Sequence, residues 1–478
     1  VSEVSGRVLS LKADGTKKHV HFVGIGGAGM SALARVLLDR GFSVSGSDVT
    51  ANDAVRDLAG RGARVGIGHA AEHVLGADCV VFTTVVAPDN PELQAARAAG
   101  IPVLHRSELL AELMAAGKSI AIAGAHGKTT TTSMIAHALV ALGYDPTFVV
   151  GGVVASLGVG ARAGSGEWIV GEADESDGSF VNYRPEVAVV LNIEPDHLEY
   201  HGHDFENLKR AYAQFAQGIP AGGALITSAD DPLAARLDAA PGVRHLTFAL
   251  RAPTADLRAT DISLSGHGVR ATVWRGQTRL GDLELAVPGA HNVGNALAAI
   301  HVCCEVGPSF DRVAEALRTF RGALRRFQIH WDQSVRVVDD YAHHPTEIRA
   351  NIELAAAAGR RLIAVFQPQR YTRTASLFDD FARAFRGADE VLIADIYSPA
   401  GEQPIAGVSA ERLADAVRAQ SNPRARYGGS VDDVSAYLKA SVRPGDVVLT
   451  MGAGDIWRAA QELAAWLKSQ GETASCSG

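Results

Sequence analysis

Two glycine-rich loops, each set between an apolar strand and a helix, constrain this chain more than any other feature. The first is Gly24-Ile25-Gly26-Gly27-Ala28-Gly29, after the apolar run HVHFVGI and before SALARVLLDRG. It matches G-x-G-x-x-G in the context that pattern requires. Glycines let the backbone approach a diphosphate, and the start of the helix supplies amide donors and the positive end of its dipole. Asp48 closes the next strand, FSVSGSD, where an acidic residue meets a ribose. Alone, this loop reads as a dinucleotide or nucleotide-diphosphate site, with a tight structural turn as the bland alternative. NAD is the default ligand, but UDP offers the same diphosphate and ribose.

The second loop is Gly124-Ala125-His126-Gly127-Lys128-Thr129-Thr130, between SIAIAG and TTTSMIAHALVALG. It is a shortened phosphate loop, because Ile122 stands where the longer pattern has glycine. Its amides can cradle phosphates, Lys128 can neutralise their terminal oxygens, and the Thr129 hydroxyl can reach Mg²⁺. A plain dehydrogenase has no use for such a triphosphate site.

The chain has 478 residues, which at roughly 150 residues per domain suggests three domains. Strands alternate with helical segments throughout, so the expected class is α/β with mostly parallel sheets. A Rossmann-like domain is expected over 1–115, a central phosphate-loop ATPase domain over 116–320, and a C-terminal Rossmann-like domain over 321–478. Within the central domain, residues 251–287 alternate apolar and polar positions and read as an antiparallel excursion. The net charge of −8 comes without a basic block, which argues against a nucleic-acid binder. Cys79, Cys303, Cys304 and Cys476 form no C-x-x-C pair, and the adjacent two read as core thiols. Residues 1–18 lack the apolar core of a signal peptide, and no run of about 20 apolar residues exists to span a membrane. A cytoplasmic protein without membrane insertion is expected.

Further motifs sit at strand ends. Glu172-Ala173-Asp174-Glu175-Ser176-Asp177 follows WIVG, and carboxylates facing a phosphate loop are natural Mg²⁺ ligands. A solvated acidic turn is the alternative. Asp196, His197, His201 and His203 cluster after VAVVLNI. His291, Asn292 and Asn295 open a helix, where they either cap it or read an adenine edge. In the third domain, Arg325-Arg326-Phe327 precedes Asp339-Asp340-Tyr341-Ala342-His343-His344-Pro345. The run Gln367-Pro368-Gln369-Arg370-Tyr371-Thr372-Arg373 follows the next strand. Surface arginines are usually solvated. Here they fall where open α/β sheets bind ligands, and their forked donors suit carboxylate or phosphate.

Taken in order, HFVGIGGAGMSALA, GAHGKTTTT, EADESDGSF, NIEPDHLEYHG, PGAHNVGNALAA, RRFQ, DDYAHHPTEI, FQPQRYTRT and GAGDIW resemble the Mur ligase family over nearly the whole chain. The resemblance implies an ATP- and Mg²⁺-dependent ligase that couples an amino acid to a UDP-linked sugar acid. Within the family it points to UDP-N-acetylmuramate and L-alanine as substrates, a recycled tripeptide being the alternative to alanine. It implies a monomer or homodimer. It places Gly26, Ala28, Gly29 and Asp48 on the UDP-sugar. Gly124, Ala125, His126, Gly127, Lys128, Thr129 and Thr130 would hold ATP phosphates, with His291, Asn292 and Asn295 near the adenine and Arg326 and Asp340 approaching the nucleotide. Thr129, Glu172 and His197 would be metal ligands. Tyr341, His343, Arg370 and Arg373 would face the amino acid and the sugar carboxylate. Lys128, His343, Arg370 and Arg373 are the expected catalytic residues, with Lys128 neutralising charge in phosphoryl transfer and His343, on its position alone, as the base for the amine. The chain departs from the family pattern at Ala125, Ala342 and Gln369, where threonine, glycine and histidine are usual. Two readings from other classes are a nicotinamide dehydrogenase with an added nucleotide domain and a non-catalytic nucleotide-binding regulator.

Overall fold

The computed structural model describes residues 18–265, 268–357, 359–398 and 402–471. The N-terminal stretch read against a signal peptide and Cys476 therefore fall essentially outside the described residues. The chain divides into two compact units, Val1–Ala323 and Leu324–Gly478.

The first unit holds two sheets. One comprises β1 (His19–Val23), β2 (Ser43–Asp48), β3 (Arg64–Ile67), β4 (Cys79–Phe82) and β5 (Val103–His105), in the order β3-β2-β1-β4-β5 and parallel throughout. Side chains alternate along β1. Val20 and Phe22 join Val44 in an apolar cluster with Met30, Leu33 and Leu37 of helix Ala28–Asp39. His19 and His21 point the other way and meet Ser45 of β2. The strand order reverses at β1, so the loop leaving β1 opens at the crevice where such sheets bind ligands.

The other sheet has ten strands. They are β6 (Lys118–Ala123), β7 (Thr147–Val154), β8 (Val159–Arg162), β9 (Trp168–Glu172), β10 (Val187–Val190), β11 (Ala224–Ser228), β12 (Arg244–Ala249), β13 (Leu257–Ser265), β14 (Gly268–Arg275) and β15 (Thr278–Leu285). The order is β15-β14-β13-β12-β11-β10-β6-β9-β7-β8. The expected antiparallel excursion is β13 to β15. It joins the sheet through a short parallel pairing of β13 with β12, which alternation alone does not reveal. The β7–β8 hairpin was not foreseen, because four glycines interrupt TFVVGGVVASLGVGAR. β6 is central, and its Ile120, Ile122 and the facing Val189 pack on Met134, Ile135 and Leu139 of helix Lys128–Ala141.

The second unit is one six-stranded sheet of β16 (Gln328–Asp332), β17 (Arg336–Asp340), β18 (Leu362–Phe366), β19 (Glu390–Ala394), β20 (Ala425–Gly429) and β21 (Val447–Met451). The order is β16-β17-β21-β18-β19-β20, with only β16 antiparallel. The carboxyl ends of β17, β21 and β18 adjoin, which brings Asp340, Gly452 and Gln367 to one edge. Among the described residues no helix is long and apolar enough to cross a membrane.

Candidate functional site

The first loop is held from beneath. The Ser47 carbonyl accepts the amides of Gly24 and Ile25, and Asp48 accepts the Gly26 amide at 2.9 Å. The other Asp48 oxygen takes the Thr50 amide at 3.1 Å. Asp48, expected to meet the ribose, is buried and has both carboxylate oxygens on backbone amides, one of them in the loop itself. A Cβ on Gly26 would stand 2.8 Å from Asn52 Nδ2 and 2.9 Å from Asp48 Oδ2, so any larger residue would displace the side chains that hold the loop. Helix Ala28–Asp39 begins without a side-chain cap, which leaves its first amides available to an anion.

Behind this loop lies a buried polar hub that sequence reading missed. The fully buried Glu92 carboxylate accepts the Ser47 hydroxyl at 2.6 Å, His73 Nδ1 at 2.7 Å and the Ala70 amide at 3.3 Å. His69 Nδ1 and His21 Nε2 stand 3.4 and 3.5 Å from it. A cavity of about 280 Å³ opens beside it, lined in part by His21, Arg64, Glu72 and His73. Burial pushes the carboxyl up, but the nearby His21 and the hydrogen bonds from Ser47 and His73 outweigh this and hold it at about 2. Its folded value lies below the ordinary glutamate value of 4.5, so its stabilisation is complete above that pH and fades as pH falls towards 2. Glu92→Gln should lower stability at pH 7 by about 1–3 kcal/mol, the cost of a disrupted buried hydrogen-bond set. The deficit should shrink in thermal melts run below pH 4.5. Equal melting of variant and wild type at pH 7 would strip Glu92 of this role.

The second loop leaves β6 through Gly124 (φ +138°) and enters its helix through Gly127 (φ +85°). A Cβ on Gly127 would stand 2.7 Å from Asn295 Oδ1, so the asparagine lies against the loop. Asn192 ties the loop down: its Oδ1 accepts the His126 amide at 2.8 Å, and its Nδ2 donates to the His126 carbonyl at 3.0 Å. Lys128 Nζ donates to the Gly124 carbonyl at 2.6 Å and to both Glu175 oxygens at 2.9 Å. Burial alone would lower the lysine pKa. Glu175 and Asp174 outweigh it and keep the ammonium charged. Thr129 Oγ1 donates to Glu172 Oε2 at 3.2 Å, and the other Glu172 oxygen takes the Gly151 amide at 2.6 Å.

Thr129 and Glu172 thus present two hard oxygens together beside the carboxylates of Asp174 and Glu175, a donor chemistry that fits Mg²⁺. His197 adopts a left-handed backbone (φ +53°) and stands 3.6 Å from Asp196. Asp174 is held at about 2: burial opposes this, and Lys128, Arg106 and the nearby His197 favour it. His201 reaches the Glu175 carbonyl at 3.0 Å, whereas His203 is exposed. The expected four-member cluster is therefore split between different tasks.

The capping role considered for His291, Asn292 and Asn295 is not what the structure shows. Helix Ala290–Val306 is capped by Gly289 without a side-chain bond. Asn292 Nδ2 donates to the Pro288 carbonyl at 2.7 Å, Asn295 Nδ2 donates to Asn292 Oδ1 at 3.1 Å, and His291 is exposed. Cys303 is buried as expected, while Cys304 is only half-buried.

In the second unit, Asp340 ends β17 and accepts the Phe327 amide at 2.6 Å and the Ala342 amide at 2.7 Å. Burial, aided by Glu347, lifts its carboxyl to about 6 against the opposing Arg326 and these amides. The guanidinium groups of Arg325 and Arg326 lie 5.0 and 5.3 Å from the Tyr341 ring, within cation–π range. His343 Nδ1 stands 3.1 Å from the Tyr341 carbonyl. Donation there makes Nε2 the lone-pair nitrogen of a neutral ring. Arg370 holds a positive φ of 67° at the start of helix Tyr371–Ser376. Arg373 Nη1 donates to Gln369 Oε1 at 2.7 Å. Glu402, absent from the sequence reading, accepts the amides of Tyr371 and Thr372 at 3.0 and 3.2 Å and lies 3.9 Å from Arg370.

Two phosphate loops on two sheets, with acid and lysine convergent on the second, define a nucleotide-dependent α/β enzyme class. Family models match three consecutive stretches: the Mur ligase family catalytic domain over residues 19–118, the Mur ligase middle domain over 122–303 and the Mur ligase glutamate ligase domain over 325–454. The chain belongs to the Mur ligase family. It is 49% identical to the UDP-N-acetylmuramate–L-alanine ligase of Symbiobacterium thermophilum over 96% of this chain and 97% of that one. It is 46% identical to the enzyme of that name from Pelotomaculum thermopropionicum, over 95% and 98%. Among solved structures, the UDP-N-acetylmuramate–alanine ligase of Thermotoga maritima superposes with a TM-score of 0.81 at 30% identity, covering 95% of this chain and 99% of that one. A murein peptide ligase from Psychrobacter arcticus gives 0.71 at 26%, covering 96% and 100%.

Proposed function

We infer that this chain is an ATP-dependent ligase that joins L-alanine to UDP-N-acetylmuramate in peptidoglycan precursor synthesis. The observation that carries this is the near-half identity, over almost the whole chain, to ligases of that name. The arrangement around Lys128 fits the chemistry. A carboxylate is a poor acylating agent, because its leaving group would be oxide. Transfer of the γ-phosphoryl group of ATP to the sugar carboxylate makes an acyl phosphate, and the neutral amine of alanine then displaces phosphate to form the amide. Lys128 neutralises charge that builds on the transferring group. Thr129 and Glu172, with His197, would hold Mg²⁺, which supplies further charge neutralisation when bound. We assign residues 1–115 to the UDP-sugar, 116–320 to ATP and 321–478 to the amino acid. In the last segment Arg370, Arg373 and Tyr341 receive the alanine, and His343 takes the amine proton. The reading places the protein in the cytoplasm, as a monomer or homodimer.

A tripeptide ligase is the second reading, favoured only by the weaker likeness to the murein peptide ligase. Phosphate release from ATP with UDP-N-acetylmuramate separates the two. Alanine should support turnover at least tenfold better, by kcat/KM, than L-alanyl-γ-D-glutamyl-meso-diaminopimelate. A preference for the tripeptide would reverse the assignment, and release with neither would remove the ligase reading.

A further inference from the structure

The first phosphate loop has no cation of its own. Between Gly24 and Gly29 no lysine or arginine occurs, and helix Ala28–Asp39 starts with neither an acidic residue nor a side-chain cap. A diphosphate seated there meets amides and a dipole but leaves charge on its outer oxygens. One guanidinium lies against this loop from a distant part of the sequence. Arg106 opens helix Arg106–Met114, and its Nη1 stands 3.4 Å from where a Cβ on Gly29 would be, with Cδ at 3.7 Å. A Cβ at Gly29 would meet this side chain at ordinary van der Waals distance, so the guanidinium lies directly against the backbone of the loop's last glycine.

The other end of the same fork faces the ATP side of the unit. Nη2 donates to Asp174 Oδ2 at 3.1 Å and stands 3.6 Å from Asp177. These carboxylates belong to the turn that supplies Glu175 to Lys128. His105, the preceding residue, adds a 3.7 Å contact to Asp177. The distances to both carboxylates are from Nη2, whereas Nη1 is the nitrogen nearer Gly29. Arg106 thus spans from the loop assigned to the sugar diphosphate to the acidic turn beside the phosphate loop. The substrate must make the same crossing, with its diphosphate at the first loop and its carboxylate presented to the γ-phosphoryl group.

We propose that Arg106 is a substrate-positioning cation, which grips the diphosphate-linked sugar acid beside Gly29 while Asp174 and Asp177 fix its orientation. This rests on the ligase reading above. A guanidinium does this better than an ammonium, because its planar fork serves the carboxylates and an anionic oxygen at once. Loss of a charged hydrogen bond of this kind corresponds to a weakening of about ten- to a hundredfold.

The test compares wild type, Arg106→Ala and Arg106→Lys by calorimetric titration with UDP and with UDP-N-acetylmuramate, and by steady-state kinetics. Arg106→Ala should weaken binding of both ligands and raise the KM for UDP-N-acetylmuramate at least tenfold, with the KM for ATP changing less than threefold. Arg106→Lys should restore folding stability to near wild type and recover only part of the affinity. Unchanged affinity for both uridine ligands in Arg106→Ala overturns the proposal. So does an equal rise in the KM for ATP and for the sugar in Arg106→Lys, which would make the residue a brace of the acidic turn. Failure of the ligase reading shows differently: wild type itself would release no phosphate with UDP-N-acetylmuramate and alanine.

Discussion

Lys128→Ala should abolish measurable phosphate release in the presence of ATP, UDP-N-acetylmuramate and L-alanine, lowering kcat by at least a hundred- to a thousandfold. That is the range for removing one preorganised charge stabiliser from a phosphoryl or acyl transfer site. The ammonium is already placed, held by the Gly124 carbonyl and by both Glu175 oxygens. On the proposed reading, ATP would meet a lysine already fixed beside the loop amides, with phosphate oxygens replacing the carboxylate ones. The variant carries a complication that sharpens the test. Glu175 is 1% exposed, and deleting its partner strands a buried charge at a cost of about 3–5 kcal/mol. Loss of activity in Lys128→Ala alone would then be ambiguous. Lys128→Met with Glu175→Gln removes the pair as a unit. It should regain a melting temperature near that of wild type and remain inactive. Turnover near wild type in that folded double variant would sink the phosphate-loop assignment.

What was legible in the sequence follows the range of the interactions. Both loops could be read because a glycine turn, a strand and a helix start are contiguous, and positive φ at Gly24, Gly124 and Gly127 is a local demand. Glu172 and Thr129 were also within reach, since strand-end carboxylates and a Gly-Lys-Thr run are recognisable one at a time. The groups that hold the site in place were not. Glu175 meets Lys128 across 47 positions, Arg106 meets Asp174 across 68, and Asn192 meets His126 across 66. Glu175 and Asn192 are ordinary polar residues until the sheet order β10-β6-β9 brings their strand ends beside the loop, and Arg106 is one until the other sheet sets the end of β5 against the turn after β9. Glu92 was hidden for the opposite reason. It lies in a helix start, PEL, where acid is common and usually solvated, and nothing local marks it as the partner of Ser47 and His73. The hairpin β7–β8 escaped because its glycines blur alternation, although it carries Gly151, whose amide orients Glu172.

Arg373→Ala should raise the KM for L-alanine about ten- to a hundredfold and leave the KM for ATP within threefold. The estimate is the loss of one charged hydrogen bond. Arg373 and Arg370 flank the start of helix Tyr371–Ser376 at the carboxyl end of β18, a position that suits an amino-acid carboxylate. The departure at Gln369 bears on this directly. Histidine is usual there in the resemblance that the motifs carry, and here the glutamine Oε1 accepts from Arg373 Nη1 at 2.7 Å. A neutral acceptor orients the guanidinium without cancelling its charge. Gln369→Glu should therefore be worse than Gln369→Ala. The alanine variant loosens Arg373 and raises the KM for L-alanine severalfold, while the glutamate neutralises the fork and approaches the effect of Arg373→Ala. Arg373→Lys should recover only part of the loss, since an ammonium lacks the planar pair of donors. An unchanged KM for L-alanine in Arg373→Ala would remove the residue from the amino-acid pocket. Equal KM values in the two Gln369 variants would show that the glutamine acts through packing and not through the charge it leaves intact.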